Sequence, residues 1–222
     1  MRLSEREHER LDSGLEAYGA VYIPIPKVAC TSLRTAFASM LDLDGDVRFE
    51  IDWPTVSLAE VEKRREGRLV FAFVRNPWDR LLSCYGSKIV AGRDDYYYGD
   101  GVDFNFWKYG KQFSGGMSFE SFVHVTCSIP VEEADIHFSS QHRHLAGSDG
   151  APLTDFVGRF ESLAEDVATV CARIGHPDIT IPHLYRTDHA HYSSYYSDMT
   201  RELVGKRWAE DIDRFGYRFE LE

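Results

Sequence analysis

The feature that most constrains this chain is a pair of prolines, Pro24 and Pro26, between an apolar segment and a helical pattern. The segment 20–23 is short and rich in residues that suit a buried strand. Apolar residues then recur at helical spacing, at Leu33, Phe37, Met40 and Leu41. Proline extends neither a strand ladder nor a helix interior, so the strand must end before the helix begins. The sequence therefore predicts a strand, a turn and a helix.

The residues of this turn favour binding of an oxyanion. Small residues leave the N–H groups of the helix N-terminus open, at the positive end of the helix dipole. Lys27, Thr31 and Ser32 add one cation and two hydroxyls. The lysine precedes the turn and the stretch 23–33 has no glycine, which differs from the Walker A loop and disfavours a kinase or GTPase. The alternative is an ordinary strand-to-helix turn with a solvated lysine.

A second strand-to-helix unit follows at residues 69–85. Residues 69–74 form a continuous apolar run, as a strand buried on both faces requires. Asn76 suits a helix N-cap, and Pro77 suits the first helical position. Arg75 leaves the strand end, and Ser83 lies on the face of the helix that continues from its start. We expect Arg75 and Ser83 to converge.

Both units resemble the nucleotide-binding motifs of sulfotransferases that use 3′-phosphoadenosine-5′-phosphosulfate (PAPS). The form is typical of the Golgi carbohydrate sulfotransferases of family 2 and their soluble bacterial relatives, and the resemblance runs from about Val21 to Phe219. It implies that the 5′-phosphosulfate group is bound by a loop that consists of Lys27, Val28, Ala29, Cys30, Thr31 and Ser32. It also implies that Lys27 is catalytic. It implies that Arg75 and Ser83 bind the 3′-phosphate.

The segment 135–144 contains three histidines, His137, His142 and His144. Their spacing fits no H-E-x-x-H zinc arrangement, and we expect no metal. The resemblance places His137 where the family carries a histidine followed by Trp or Phe, so it implies that His137 takes the proton of an acceptor hydroxyl. His142 and Glu50 are the alternative bases. The resemblance also implies, in a C-terminal loop, a phosphate contact for Arg186.

A third unit is predicted from a strand over residues 155–161 and a helix that ends at Gly175. The three strand-then-helix units predict an α/β fold with a mainly parallel sheet flanked by helices, with ligands at the carboxyl ends of the strands. The resemblance implies the P-loop-like nucleotide-binding fold of sulfotransferases. We expect a single domain over residues 1–222. Residues 4–18 are predicted to form a charged helix, and Ser57 with Glu60 and Ser162 with Glu165 have capping-box spacing.

Composition limits the partners. The formal charge of −11 disfavours nucleic acid, anionic membranes and polyanionic glycans, so we favour a small or weakly charged acceptor. The four cysteines are widely spaced and are expected to be reduced. No apolar run is long enough for a membrane span and the N-terminus is charged, so we expect a cytoplasmic protein. A homodimer is a further expectation.

The stretch 92–116 has no period and is rich in aromatic residues, which either stack on the acceptor or pack on their own domain or at a dimer contact. The resemblance to sulfotransferases implies transfer of a sulfuryl group from PAPS to a hydroxyl of a carbohydrate or small molecule, with 3′-phosphoadenosine-5′-phosphate (PAP) as the second product. The alternatives are a small-molecule kinase on a related fold and a non-catalytic nucleotide-binding module.

Overall fold

A computed structural model describes residues 10–12, 15–45, 55–63, 66–90, 97–98, 102–176 and 190–221. The chain divides into two compact units. The first comprises Met1–Arg75 and Gln141–Arg186, and the second comprises Asn76–Ser140 and Thr187–Glu222. The single domain over residues 1–222 stays a prediction.

Seven strands and eight α-helices are described. In chain order they are β1 (Arg10–Asp12), β2 (Ala20–Ile23), α1 (Cys30–Met40), β3 (Thr55–Ser57), α2 (Leu58–Lys63), β4 (Leu69–Val74), α3 (Pro77–Tyr85), β5 (Tyr97–Tyr98), β6 (Val102–Asp103), α4 (Phe119–Ser128), α5 (Gln141–His144), β7 (Phe156–Arg159), α6 (Leu163–Arg173), α7 (Asp198–Arg207) and α8 (Ala209–Phe215).

The first unit contains a five-stranded sheet with the spatial order β3-β1-β2-β4-β7. Strands β2, β4 and β7 are parallel, whereas β1 pairs antiparallel with both β2 and β3. Helices follow β2 and β7 in this unit, as expected for parallel strands, which need crossover connections. The predicted α/β fold, with a parallel sheet flanked by helices, is confirmed.

Strand β4 is the centre of this sheet. Residues 70–74 are all buried, which explains why its sequence is continuously apolar rather than alternating. Phe71 and Phe73 pack edge to face, and the ring of Tyr22 lies 5.5 Å from those of Phe71 and Phe37. This aromatic cluster joins β2 and β4 to α1, so the turn between β2 and α1 is anchored at both ends by the core of the unit.

Strand β7 approaches β4 closely because it contains Gly158. A Cβ atom at this position would lie 2.6 Å from the ring of Phe73. The strand's register is fixed by Asp155, which accepts a hydrogen bond from the Val70 N–H at 2.9 Å and donates its own N–H to the Val70 carbonyl at 2.7 Å. Strands β4 and β7 therefore end side by side, at Val74 and Arg159.

The second unit is mainly helical and packs around aromatic side chains. Its buried core includes Trp78 of α3, Phe122 of α4 and Phe138. Phe106 and Tyr109, from the aromatic stretch, are buried in the same core, within a 3-10 helical segment over Phe104–Gln112 that is kinked at Gly110. For these two residues the structure favours packing within the protein over stacking on an acceptor.

Several local predictions can be compared with the structure. Ser57 and Glu60 form the predicted capping box, because the Glu60 N–H donates to the Ser57 hydroxyl and the Ser57 N–H donates to the Glu60 carboxylate. The helix predicted over residues 4–18 is wrong where it is described, since 10–12 form β1 and 16–18 form a 3-10 helix. Ser162 donates to Asp166 rather than pairing with Glu165.

In the part of the chain that is described, no helix has the length and apolar character that crossing a membrane requires.

Candidate active site

The turn between β2 and α1 has an unusual backbone. Lys27 has a φ of 70° and Ala29 has a φ of 53°, so the residue before Val28 and the residue after it both have a left-handed backbone conformation. Among the described residues, Asp42 is the third non-glycine residue with a positive φ. A side chain in this region costs about 1–3 kcal/mol, and such strain is concentrated at functional sites. The conformation of this turn is therefore maintained by contacts elsewhere in the unit.

Helix α1 begins directly after the left-handed Ala29. Ala29 is the N-cap and provides no side-chain hydrogen bond to the helix start. The Leu33 N–H donates to the Ala29 carbonyl at 3.0 Å, and the Cys30 thiol donates to the Ile25 carbonyl at 2.7 Å. An N-terminus that lacks its own side-chain cap presents backbone N–H groups and a positive dipole end toward the turn, which suits an anion.

The predicted binding residues in this turn differ in exposure. Val28 is 1% exposed and Ser32 is 6% exposed, so their side chains belong largely to the core. Lys27, Cys30 and Thr31 are half-buried. The Val28 N–H donates to the Ile25 carbonyl at 3.3 Å, so of these two residues Ala29 would bind an anion through the backbone, whereas Lys27 and Thr31 are partly exposed.

Arg75 lies at the carboxyl end of β4 and contacts the turn. Its guanidinium Nη1 donates to the Lys27 carbonyl at 3.1 Å, and its Cζ lies 3.9 Å from the centre of the Phe160 ring. Arg75 is only 7% exposed. The structure thus brings together two of the predicted site residues, Lys27 and Arg75, within the first unit.

The backbone of Arg75 is held by the side chain of Gln141. The Arg75 N–H donates to Gln141 Oε1 at 2.9 Å, and Gln141 Nε2 donates to the Arg75 carbonyl at 2.8 Å. Gln141 is fully buried, with 0% exposure. Arg75 directly follows the end of β4, and the Gln141 amide forms the two hydrogen bonds that a neighbouring strand would otherwise form with its N–H and carbonyl groups. Two buried backbone groups are thereby satisfied.

In the second unit, Ser83 lies half-buried on α3. The start of this helix is capped as predicted, because Asn76 Oδ1 accepts a hydrogen bond from the Trp78 N–H at 3.1 Å and Pro77 occupies the first helical position. The Asn76 amide also donates to the Arg218 carbonyl at 2.9 Å. The convergence of Ser83 with Arg75 stays a prediction.

His137 forms a close pair with Asp135 in the second unit. His137 Nδ1 lies 2.6 Å from Asp135 Oδ1, and the His137 N–H donates to the same oxygen at 3.0 Å. An ionised carboxylate only accepts hydrogen bonds, so Nδ1 carries the proton and Nε2 is the basic nitrogen. The His137 side chain is 17% exposed, whereas that of Asp135 is 7% exposed.

The carboxylate of Asp135 is ionised in this environment. Burial alone would raise its pKa, but the hydrogen bonds from His137, the charge that His137 carries when protonated and the charge of Lys108 lower the pKa of Asp135 below its ordinary value. Lys108 Nζ lies 3.7 Å from Asp135 Oδ2. A charged carboxylate behind a histidine holds the ring in one orientation and stabilises its protonated form.

Arg80 fixes the turn that carries His137. Its guanidinium donates to the Ile136 carbonyl at 3.0 Å and to the Ser139 carbonyl at 2.6 Å, and Arg80 is 3% exposed. Trp208 Nε1 donates to the Phe138 carbonyl at 3.2 Å. Three carbonyls of one short turn therefore have side-chain donors, which restricts the backbone on both sides of His137.

The other predicted site residues are His142, Glu50 and Arg186. His142 lies on α5, in the first unit, and is half-buried. Glu50 and Arg186 lie outside the described residues. Among the residues described, no group of three or more His, Cys, Asp or Glu side chains is arranged to hold a metal.

Four residues that support the predicted site residues were not predicted from the sequence: Gln141 and Phe160 contact Arg75 in the first unit, and Arg80 and Asp135 hold His137 and its turn in the second. Only Asp135 had a readable signal, because it lies two positions before His137. Gln141 and Arg80 bind backbone groups, which are present at every position and leave no mark in the sequence.

Comparison with known proteins identifies the chain's relatives at the level of a family. A family model described as "Sulfotransferase family" matches residues 15–218. No curated protein and no solved structure matches the chain.

Proposed function

Because this chain belongs to the sulfotransferase family, we propose that it transfers a sulfuryl group from PAPS to a hydroxyl of a carbohydrate or small molecule. Family membership supports sulfuryl transfer in general. The identity of the donor, the class of acceptor and the roles of individual residues are our proposal, argued from the contacts in each unit.

The observation that carries the proposal is the left-handed turn between β2 and α1. It combines a helix N-terminus that lacks a side-chain cap, the lysine at position 27 and a neighbouring buried arginine. An anion is the ligand that gains from all three. A 5′-phosphosulfate group meets these requirements, with its phosphate on the N–H groups of residues 29–32 and on Lys27.

The reaction moves one group between two oxygens. The acceptor oxygen forms a bond to sulfur, the bond between sulfur and the 5′-phosphate oxygen breaks, and the hydroxyl proton passes to a base. The products are a sulfate ester and PAP. By analogy with phosphoryl transfer, positioning and charge stabilisation supply most of the rate. Lys27 stabilises the negative charge that develops on the leaving phosphate.

His137 is the proposed base. Its Nε2 is the basic nitrogen because Nδ1 is committed to Asp135. Transfer of the acceptor proton makes the ring cationic, and the adjacent carboxylate of Asp135 stabilises that charge. The roles of Arg75 and Ser83 are to bind the 3′-phosphate, which distinguishes PAPS and PAP from ordinary adenylate nucleotides. Arg186 is assigned a phosphate contact.

The acceptor class follows from the charge of the protein. A formal charge of −11 repels polyanions such as sulfated glycans and does not penalise a neutral hydroxyl compound. We therefore propose a weakly charged carbohydrate or small-molecule acceptor.

The test is calorimetric titration of the purified full chain with PAP, with AMP and ATP as comparison ligands and no added metal. We expect PAP to bind much more tightly than either. The variant Lys27→Ala should weaken binding, and Lys111→Ala, which removes an exposed lysine from the second unit, should not.

Two other outcomes of this titration would replace the proposal. A preference for ATP that requires Mg²⁺ would indicate a kinase. Tight binding of PAP without consumption of PAPS, across a panel of neutral hydroxyl acceptors, would indicate a non-catalytic binding module.

A further inference from the structure

We propose that Arg75 is a positioning residue for the phosphate turn, so that it acts on the 5′ end of the donor as well as on the 3′-phosphate. The inference rests on the proposed function for the identity of the ligand. The role of Arg75 in shaping the turn does not depend on that function, because the hydrogen bond that supports it joins two residues of the protein.

The surroundings of Arg75 are those of an arginine that supports a backbone. The residue is 7% exposed, one face of its guanidinium lies on the Phe160 ring at 3.9 Å, and Nη1 donates to the Lys27 carbonyl at 3.1 Å. The main chain of Arg75 is fixed on both sides by the amide of Gln141. Both the backbone and the guanidinium of Arg75 are therefore fixed by contacts within the first unit.

The hydrogen bond from Arg75 is accepted by a peptide group in the strained part of the turn. The Lys27 carbonyl belongs to the peptide between Lys27 and Val28, and left-handed residues lie on both sides of Val28. Without the guanidinium, this peptide loses a charged donor and the turn loses a contact that opposes its strain. The direction of the Lys27 side chain and of the N–H groups that follow depends on the same peptide.

A consequence is that the two phosphate sites are coupled. If Arg75 only contacted the 3′-phosphate, its removal would weaken PAP binding and leave AMP, which lacks that phosphate, unaffected. If Arg75 also shapes the turn, its removal weakens both ligands. A guanidinium has five N–H donors, so a hydrogen bond to one carbonyl is compatible with a phosphate contact.

The experiment compares Arg75→Met with two other variants of the full chain. Arg159→Met is the matched control, because it removes an exposed arginine at the end of the neighbouring parallel strand β7. Phe160→Leu keeps an apolar side chain but removes the ring beneath the guanidinium. This variant tests the same contact if Arg75→Met folds poorly. Affinities for PAP and AMP are measured by calorimetry. Exchange of the amides of residues 27–30 is measured without ligand by mass spectrometry.

We expect Arg75→Met to lower the affinity for AMP about tenfold, the size of one charged hydrogen bond, and that for PAP more. Phe160→Leu should lower both affinities by a smaller factor, and Arg159→Met should leave both within about twofold. Unchanged AMP affinity in Arg75→Met, with weakened PAP binding, would overturn the inference.

The exchange measurement separates this inference from the proposed function. If the wild-type protein shows no preference for PAP over AMP, the proposed function fails. Exchange at residues 27–30 that is faster in Arg75→Met than in Arg159→Met, with exchange in α6 unchanged, still supports the role in the turn. Equal exchange in the two variants would contradict it.

Discussion

Replacement of Gln141 by methionine should destabilise the protein although the substitution keeps the length and shape of the side chain. Gln141 is fully buried, and it accepts from the Arg75 N–H and donates to the Arg75 carbonyl. Methionine fills the space but forms neither hydrogen bond. Two backbone groups are then buried without partners, in a residue that is itself 7% exposed.

The size of the effect follows from these two groups. A buried donor or acceptor left unsatisfied costs about 1–3 kcal/mol, and the thioether recovers part of this because it is more favourably buried than an amide. We expect a net loss of about 2–4 kcal/mol in the free energy of unfolding. For a chain of this length each kcal/mol corresponds to about 2–4 °C, so the Tm should fall by roughly 4–16 °C.

The assay is urea unfolding followed by circular dichroism, with Gln112→Met as the control. Gln112 is the other glutamine of the chain and is exposed, so its replacement should change stability by less than about 0.5 kcal/mol. A third variant, Gln141→Glu, keeps the acceptor but has no donor when ionised, and protonation at low pH restores the donor. Equal midpoints for Gln141→Met and Gln112→Met would refute the reasoning.

Three further predictions follow from other contacts. Lys27→Ala should reduce kcat by about 100-fold or more, since one preorganised stabilising group is removed, while the KM of the acceptor changes little in steady-state assays; an unchanged kcat would exclude Lys27 from catalysis. Asp135→Asn should lower kcat and change its pH profile. Because the folded-state pKa of Asp135 is lowered, its contribution to stability should be full above the unfolded pKa of about 3.9 and should be lost as the pH falls from there through the lower folded-state pKa; a stability difference between wild type and Asp135→Asn that does not shrink as the pH is lowered below about 4 would contradict this. Gly158→Ala should cost about 1–3 kcal/mol in thermal unfolding, because its Cβ would lie 2.6 Å from the ring of buried Phe73, and a neutral effect would show that β7 can move away.

The features that could be predicted from the sequence are local ones. The start of α3 was predictable because Asn76 and Pro77 each act within two or three residues of their own position. The strand, turn and helix around Lys27 were predictable because prolines restrict the backbone wherever they occur. The match to the sulfotransferase family over residues 15–218 confirms the resemblance on which the rest of the prediction depended.

The features that could not be predicted depend on partners far away in the sequence. Gln141 binds Arg75 from 66 positions away, and Arg80 binds the Ser139 carbonyl from 59 positions away. Arginine is ordinarily exposed, so no pattern marks Arg80 as buried. Ser162 shows a different limit: it has the spacing of a capping box with Glu165, but Asp166, one residue further, accepts its hydroxyl hydrogen bond.

The helix predicted over residues 4–18 failed for a similar reason. Charged residues at helical spacing favour a helix only when no neighbouring strand offers backbone pairing. In the structure residues 10–12 pair with both β2 and β3, and these tertiary hydrogen bonds override the local preference.

The position of β4 in the sheet also has a consequence for how the protein is made. During synthesis, β4 can pair with β2 as soon as both have left the ribosome, because they are about fifty positions apart. The other edge of β4 stays unpaired until β7 has been synthesised, since Val70 and Asp155 are separated by 85 positions. Until then an apolar strand has one unpaired edge, so the nascent chain passes through a stage that is prone to wrong pairing.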